Sequence, residues 1–166
     1  WDLSWTSVNS KVTDTLTYDG TMTISGTGTT KLISSAESVP WYSVREKIKK
    51  VVITDGINNV PSYAFTGCVN LTDVTLGSNV WTIGTNAFDL CTSLKSITLS
   101  NTVTQIQRGA FKDCILLMNV SLSTNVDKLN GTAFTNTPWL KANIDEEGIL
   151  YVNNYLSDGM SAKGDI

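Results

Sequence analysis

Residues 71–93 read LTDVTLGSNVWTIGTNAFDLCTS, and the pattern of this stretch occurs four times along the chain with a period of 23 residues. The unit before it begins at Ile48, and the two units after it begin at Leu94 and Leu117. The shared positions are L-x-x-V-x-L-x-x-x-V-x-x-I-x-x-x-A-F-x-x-C-x-x. A fixed period of this length predicts stacked units, each of which contacts mainly its neighbours along the chain.

Each unit combines a strand pattern with a return to the core. The V-x-L step at residues 74–76 alternates apolar and polar side chains, which indicates a β-strand with one buried face. The V-x-x-I step at residues 80–83 brings the chain back, and Ala87-Phe88 fits a short helical turn. Amphipathic helices fit poorly, because the units are rich in Thr, Val, Ile and Asn and their spacing does not follow 3.6 residues. We predict a β-rich solenoid of parallel strands, short return strands and helical turns.

The composition of the chain argues against two classes of binding partner, nucleic acids and membranes. The chain has 166 residues, 41% of them hydrophobic and 16% charged, with a net charge of −3. The basic residues cluster only at residues 45–50, which is too few for a phosphate-binding stripe, so nucleic acid and anionic membrane are not expected partners. No apolar run approaches the roughly 20 residues of a transmembrane helix. We expect a monomer.

The three cysteines, Cys68, Cys91 and Cys114, occupy the same position in successive units. This position lies on the apolar face, so we predict buried side chains that act as small hydrophobes. A metal site is not predicted, because histidine is absent and no two cysteines are closely spaced. Equivalent residues of adjacent coils lie about 5 Å apart in a stack, so the geometry does not exclude a disulfide between two of these cysteines.

The segments outside the four units have β patterns of their own. Residues 16–24 alternate around Asp19-Gly20, which predicts a hairpin with a two-residue turn of positive φ. Residues 148–156 predict a second hairpin around Asn153-Asn154, and the segment 44–50 is a short helix or a turn. The predicted division is a capping region (1–47), four repeats (48–139) and an irregular C-terminal segment (140–166). Trp1, Leu3, Trp5 and Pro40-Trp41-Tyr42 are expected to close the open end of the first coil.

These features resemble the BspA-type leucine-rich repeat family of cell-surface proteins, whose repeats read L-x-x-I-x-L-P-x-x-V-x-x-I-G-x-x-A-F-x-x-C. The similarity covers residues 48–139, and residues 20–28 and 40–41 resemble the family's leader motifs G-T-L-T-I-S-G-T-G and P-W. Three positions depart from the family. Its glycine after the isoleucine survives only at Gly84, and Pro61, Gln107 and Asn130 replace it in the other units. Its proline after the strand is replaced in every unit, and Thr137 stands where cysteine is expected. The resemblance implies a non-enzymatic, secreted or surface-attached adhesin that binds host matrix protein, glycan or another cell-surface protein.

No motif for catalysis or for a cofactor is evident. Residues 25–31 are rich in glycine but lack the P-loop spacing, and they predict a flexible turn. Residues 145–147 are acidic without an EF-hand pattern, which predicts a solvated turn. Histidine, the usual general base for a nucleophile, is absent. We therefore predict no catalytic, cofactor or metal site.

The candidate binding surface is the outward face of the stacked strands. If residues 74 and 76 point inward, residues 73 and 75 point outward, and stacking aligns the equivalent side chains in columns. One column contains Lys50, Asp73, Ser96 and Asn119, and a second contains Val52, Thr75, Thr98 and Ser121. A third column contains Thr54, Gly77, Ser100 and Ser123. Trp81 and Trp139 would add anchors if they are exposed.

Three functions remain open for these columns. They are a polar binding surface, a hydroxyl ladder that only keeps a structural stalk soluble, or a hydrolase site on a solenoid. The last would require several acidic residues on the sheet, and Asp73 is the only one in the columns. We also expect the chain to be a piece of a longer protein, since residues 163–166 resemble the start of another repeat strand.

Overall fold

The structure is a computed structural model that describes residues 3–6, 11–152 and 155–161. In chain order the strands are β1 (Leu3–Thr6), β2 (Val12–Leu16), β3 (Thr21–Gly26), β4 (Lys50–Ile53), β5 (Asn59–Val60), β6 (Asp73–Thr75), β7 (Thr82–Ile83), β8 (Ser96–Thr98), β9 (Gln105–Ile106), β10 (Asn119–Ser121), β11 (Lys128–Leu129), β12 (Ile149–Val152) and β13 (Tyr155–Ser161). The helical elements are 3-10 turns at Ala36–Ser38 and Tyr42–Lys47 and the α-helix α1 at Pro138–Asn143. The 3-10 turn at Tyr42–Lys47 occupies most of the segment for which the sequence left helix and turn open.

The longer strands of the four units stack in parallel, as predicted. β4 pairs with β6 so that Lys50 lies opposite Asp73, and β8 pairs with β10 so that Ser96 lies opposite Asn119. β6 and β8 lie side by side between these two pairs. Both registers advance by 23 residues, so one turn of the solenoid is one sequence unit. We call the outward surface of β4, β6, β8 and β10 the strand face.

The return strands form a second parallel ladder in the order β5, β7, β9 and β11. Asn59 lies opposite Thr82, Thr82 opposite Gln105, and Gln105 opposite Lys128. Each strand has only two residues, because the chain turns before and after it within the same unit. The predicted parallel solenoid with short return strands is therefore confirmed.

The Ala-Phe segments form a third ladder of backbone hydrogen bonds between coils. The amide of Phe65 donates to the carbonyl of Ala87 at 2.8 Å, and the same bond recurs from Phe88 to Ala110 at 2.8 Å. Within a segment the chain follows consecutive turns rather than a continuous helix. The residue before the cysteine position has a left-handed backbone in every unit: Gly67, Leu90, Asp113 and Asn136 have φ values of 74°, 59°, 56° and 62°.

A stack of phenylalanine rings runs through the core. The centroids of Phe65, Phe88, Phe111 and Phe134 are separated by 5.3, 5.3 and 5.1 Å, and these four side chains are at most 1% exposed. Trp41 continues the stack at one end, with its centroid 6.1 Å from that of Phe65. Trp139 covers Phe134 at the other end, at 4.6 Å. Trp41, which precedes the four units, and Trp139, the last residue of the fourth unit, thus cover the two ends of the stack.

The cysteines are free, buried thiols, as the sequence analysis predicted. The thiol of Cys91 donates to the carbonyl of Phe65 at 3.2 Å, and that of Cys114 donates to the carbonyl of Phe88 at 3.1 Å. Burial raises the pKa of the Cys68 thiol to about 12. The side chains therefore link neighbouring coils as neutral hydrogen-bond donors.

The N-terminal hairpin continues the sheet of the strand face. β2 and β3 are antiparallel, and β3 pairs in parallel with β4, so β3 takes the place of a preceding repeat strand. The predicted two-residue turn is wrong. The amide of Thr17 donates to the carbonyl of Thr21, only Gly20 has a positive φ (89°), and the loop contains three residues. The Asp19 carboxylate accepts hydrogen bonds from Thr17 and Thr21, and these bonds favour the longer loop.

The array ends at helix α1, and a hairpin follows it. Thr137 begins the helix, since its hydroxyl accepts the amide hydrogen of Leu140 at 3.1 Å. The predicted C-terminal hairpin is present as the antiparallel pair β12 and β13. Its turn at residues 153–154, the predicted strand start at 163–166 and the predicted packing role of Trp1 lie outside the described residues.

Candidate functional site: the strand face

Alternation in the stacked strands decides which side chains reach the strand face. In β4, Val51 and Ile53 are buried, whereas Lys50 is exposed and Val52 is half-buried. The same alternation exposes the outward residues of β6, β8 and β10, since an inward side chain packs on the core. The exposed residues are Asp73, Thr75, Ser96, Thr98, Asn119 and Ser121.

Pairing brings the predicted residues together in the expected columns. Val52 lies opposite Thr75, and Thr98 lies opposite Ser121, so the hydroxyl column follows the stack from coil to coil. Lys50 and Asp73 are the charged residues among the eight, and their charges cancel. The Asp73 carboxylate accepts a hydrogen bond of 2.6 Å from the Thr72 hydroxyl. The resulting surface is neutral and is dominated by small groups that can donate and accept hydrogen bonds.

The third predicted column serves the turn that follows the strand. Gly77 is buried, and a Cβ added there would lie 2.5 Å from the backbone of Thr54, so only glycine fits this close approach. The Ser123 hydroxyl accepts the amide hydrogen of Asn125 at 3.0 Å. These residues shape the corner where the family motif has proline, and they are not free side chains on the strand face.

The strand face extends onto the N-terminal hairpin, which was not predicted from the sequence. Thr21 pairs with Lys50 and Thr23 pairs with Val52, so both columns continue across β3. β2 adds Thr15, which lies opposite Thr23, and the exposed Thr13. The sequence does contain a signal for this extension, because residues 21–25 alternate polar and apolar side chains in the same way as the repeat strands.

The two tryptophans considered as anchors are not on the strand face. Trp81 is 48% exposed, but it precedes β7 on the side of the return strands. Trp139 is buried against Phe134. A partner of the strand face therefore meets hydroxyl and amide groups rather than aromatic rings.

Two other segments have structural roles. In the glycine-rich segment, the amide of Gly28 donates to the carbonyl of Gly56 at 2.8 Å, so this segment is bound to the first coil. The Asp145 carboxylate accepts the amide hydrogens of Glu147 and Ile149, which closes the acidic turn. Within residues 3–6, 11–152 and 155–161, no group of three or more His, Cys, Asp or Glu side chains lies close enough to hold a metal ion. The helices in the same ranges are too short and polar to cross a bilayer.

Solved structures share this fold. A leucine-rich repeat protein from Eubacterium ventriosum is 24% identical with a TM-score of 0.55, and the match covers 80% of this chain and 47% of that protein. A leucine-rich repeat protein from T. pallidum is 19% identical with a TM-score of 0.56, and the match covers 79% of this chain and 67% of that one. The chain thus spans about half the length of the Eubacterium protein. No curated protein sequence matches the chain.

The repeats themselves identify the family. A model of the BspA-type leucine-rich repeat region matches residues 41–159 in six copies, a range that extends beyond the four regular units at both ends. Its match covers most of the chain and includes the strand face and the phenylalanine stack. The chain therefore belongs to the BspA-type leucine-rich repeat family, a family of repeat proteins with protein-interaction or structural roles.

Proposed function

We propose that this chain is a non-enzymatic binding segment of a secreted or surface-attached adhesin, and that its strand face holds a host matrix protein, a glycan or another cell-surface protein. In this proposal residues 1–47 cap the array, residues 48–139 carry the binding repeats, and residues 140–166 lead out of them. The ends of the ring stack at Trp41 and Trp139 support this division.

One observation carries the proposal: small polar side chains are aligned on neighbouring strands of one surface. The columns extend over β2, β3, β4, β6, β8 and β10. At a spacing of about 4.8 Å between strands, these six strands span about 24 Å. A surface of this length contacts an extended segment of a partner through many hydrogen bonds of similar strength.

The composition of the strand face favours binding over chemistry. Asp73 and Lys50 are its ionisable residues in the four coils, and they lie on adjacent strands without a buried general base beside them. Hydroxyl and amide groups that water already solvates can exchange those water molecules for a partner at little cost. The absence of aromatic side chains from the eight predicted residues favours a broad polar contact over a single energetic anchor.

The experiment is an alanine scan by column, with adhesion to immobilised matrix proteins and to a glycan array as the measurement. We expect the combined variant Thr75→Ala, Thr98→Ala and Ser121→Ala to weaken binding at least tenfold, because each change removes a hydrogen-bonding group from the contact. The matched control is Gln105→Ala with Lys128→Ala on the return strands, which should bind as the parent does.

The alternative function is a structural stalk that presents other domains. The uninterrupted ring stack favours it, because stacked cores make an array stiff. A stalk tolerates the strand-face changes without losing adhesion. Equal binding by the parent and by all column variants, with unchanged melting temperatures, would therefore establish the stalk and reject the adhesin.

A further inference from the structure

A cavity of about 260 Å³ opens between the N-terminal hairpin and the first coil. Its walls are the apolar side chains of Val12, Ile33, Trp41 and Pro61, all of which are buried. The exposed residues Lys31, Leu32 and Ser34 also line it and form its mouth. Sites for drug-sized ligands usually measure about 300–1,000 Å³, so this cavity suits a single elongated side chain.

A carboxylate lies among these apolar walls. Asp14 belongs to the inward face of β2, between Val12 and Leu16, where the alternation of the strand calls for an apolar residue. Its side chain is 6% exposed and lines the cavity. No ion pair or hydrogen bond is made by this carboxylate within the part of the chain that the structure describes. A buried carboxylate without a partner is unfavourable unless a ligand supplies one.

The donors near the cavity already have other partners. The amide and hydroxyl of Thr30 donate to the side-chain oxygen of Asn59 at 2.9 and 3.1 Å. The indole nitrogen of Trp41 donates to the carbonyl of Ala64 at 2.7 Å. The hydroxyl of Ser38 is hydrogen-bonded to that of Ser35. These bonds hold the walls in place and leave the Asp14 oxygens available to a molecule that enters the cavity.

We propose that this cavity binds a cationic side chain, lysine or arginine, that a partner protein presents at the cap. The hydrocarbon stem packs on Val12, Ile33 and Trp41, and the ammonium or guanidinium group donates to the Asp14 carboxylate. Such charge-assisted hydrogen bonds are about twice as strong as neutral ones, and a low local dielectric strengthens them. This site lies apart from the strand face and does not depend on it.

The site carries its own pH dependence. Burial raises the pKa of the Asp14 carboxyl from 3.8 to about 6. Among the described residues, Lys31, at the mouth, is the other ionisable side chain that lines the cavity. Because protons and the cationic ligand compete for the same oxygens, affinity should be full above pH 7 and should fall as the pH is lowered through 6.

The test uses the whole chain and two small probes, n-butylammonium and n-butylguanidinium, with n-butanol as the neutral probe. Amide shifts of residues 30–33 and the indole shift of Trp41 report binding by NMR. We expect saturable shifts with both cations, at least tenfold weaker binding to Asp14→Asn, and unchanged binding to Glu37→Gln. Glu37 is an exposed carboxylate on the 3-10 turn at Ala36–Ser38, so its variant makes the same charge change outside the cavity.

Equal binding of n-butanol and the cations, or undiminished binding to Asp14→Asn, would overturn the proposal. A second measurement needs no variant: saturation with n-butylammonium should lower the apparent pKa of the Asp14 carboxyl in a carbon-detected titration. An unchanged pKa at saturation would reject the site. Adhesion is not a readout in either experiment, so failure here is distinct from failure of the strand-face proposal.

Discussion

A second buried carboxylate, that of Asp89, shows how a single residue can lower the stability of a regular array. Asp89 follows Phe88 in its Ala-Phe segment and is 8% exposed, and its Oδ1 atom has no hydrogen-bond partner in the described part of the chain. Burial raises the pKa of this carboxyl, and the nearby Lys112 offsets part of the rise. The equivalent residues Thr66 and Thr135 instead donate their hydroxyls to backbone carbonyls at 2.7 and 3.1 Å.

We predict that Asp89→Thr stabilises the protein by about 1–2 kcal/mol at pH 7, because it replaces an unpaired buried acceptor with a hydroxyl that bonds to the backbone. Urea unfolding measures the gain. A native pKa above the ordinary 3.8 means that the parent takes up a proton on folding, so its penalty is complete above the native pKa. The gain should therefore shrink as the pH is lowered towards 4.

Asp127→Thr is the control for this prediction, because it makes the same chemical change at an exposed position and should alter stability little. A variant Asp89→Thr that unfolds at the same or lower urea concentration than the parent would show that Asp89 is not a source of strain.

Residues that depend on neighbouring coils were the hardest to predict. Leu90 has a left-handed backbone although leucine rarely adopts one, and nothing in its local sequence indicates a turn. The hydrogen bond from the Leu90 amide to the Lys112 carbonyl in the next coil holds it there. Asp14 is similar, since the alternation of β2 predicts its inward direction but not the cavity that it meets.

At the scale of elements, the end of the array depends on one substitution in the repeat. Thr137 replaces the cysteine of the other units, and it is fully buried. Its hydroxyl accepts from the amide of Leu140 and donates to the carbonyl of Phe134 at 2.7 Å. With proline at the next position, this is the usual start of a helix. Helix α1 then places Trp139 over the last phenylalanine.

We predict that Thr137→Ala destabilises the protein by about 1–2 kcal/mol, because it removes the cap and leaves the Leu140 amide without its partner. Chemical unfolding at pH 7 measures the loss. Thr137→Ser keeps the hydroxyl and serves as the control, with a smaller loss expected. If the alanine and serine variants lose equal stability, the hydroxyl is not what holds the helix start.

Strand registers were predictable from sequence, whereas turns were less so. The 23-residue offset of the columns follows from the period alone, because equivalent residues must stack to bury equivalent faces. The type of the hairpin loop at residues 18–20 was not predictable, because the Asp19 hydrogen bonds favour a three-residue loop over the two-residue loop that Asp-Gly usually forms. The 3-10 turn at Tyr42–Lys47 could be placed only roughly.

At the scale of the whole molecule, stability depends on stacking between coils. Phe88 lies in the middle, with a neighbouring ring at 5.3 Å on either side. The eight residues of the candidate site could be placed on one surface from sequence because this stack keeps the coils in register. Their extension onto β2 and β3 was not predicted although residues 21–25 alternate as the repeat strands do, because the hairpin lies outside the 23-residue period and only the fold shows that β3 joins the sheet.

We predict that Phe88→Ala destabilises the protein by about 3–5 kcal/mol, because it opens a cavity between two rings that cannot move together. Thermal and urea unfolding measure the loss. Leu116→Ala is the control, since Leu116 is 44% exposed and should contribute far less. A Phe88→Ala variant with the same melting temperature as the parent would contradict the prediction that Phe88 stabilises the core by stacking.

The constant 23-residue offset also restricts how such a gene can change in length. The two strand ladders join each residue to its counterpart one unit away, and the hydrogen bonds of the Ala-Phe ladder recur with the same 23-residue period. Duplicating or deleting a whole unit inside the array therefore restores all the pairings at the new junction. An insertion of one residue within a strand instead reverses the inward and outward sides of all that follows in that strand. The fold therefore tolerates changes in length of whole 23-residue units, which in-frame recombination between repeats would produce.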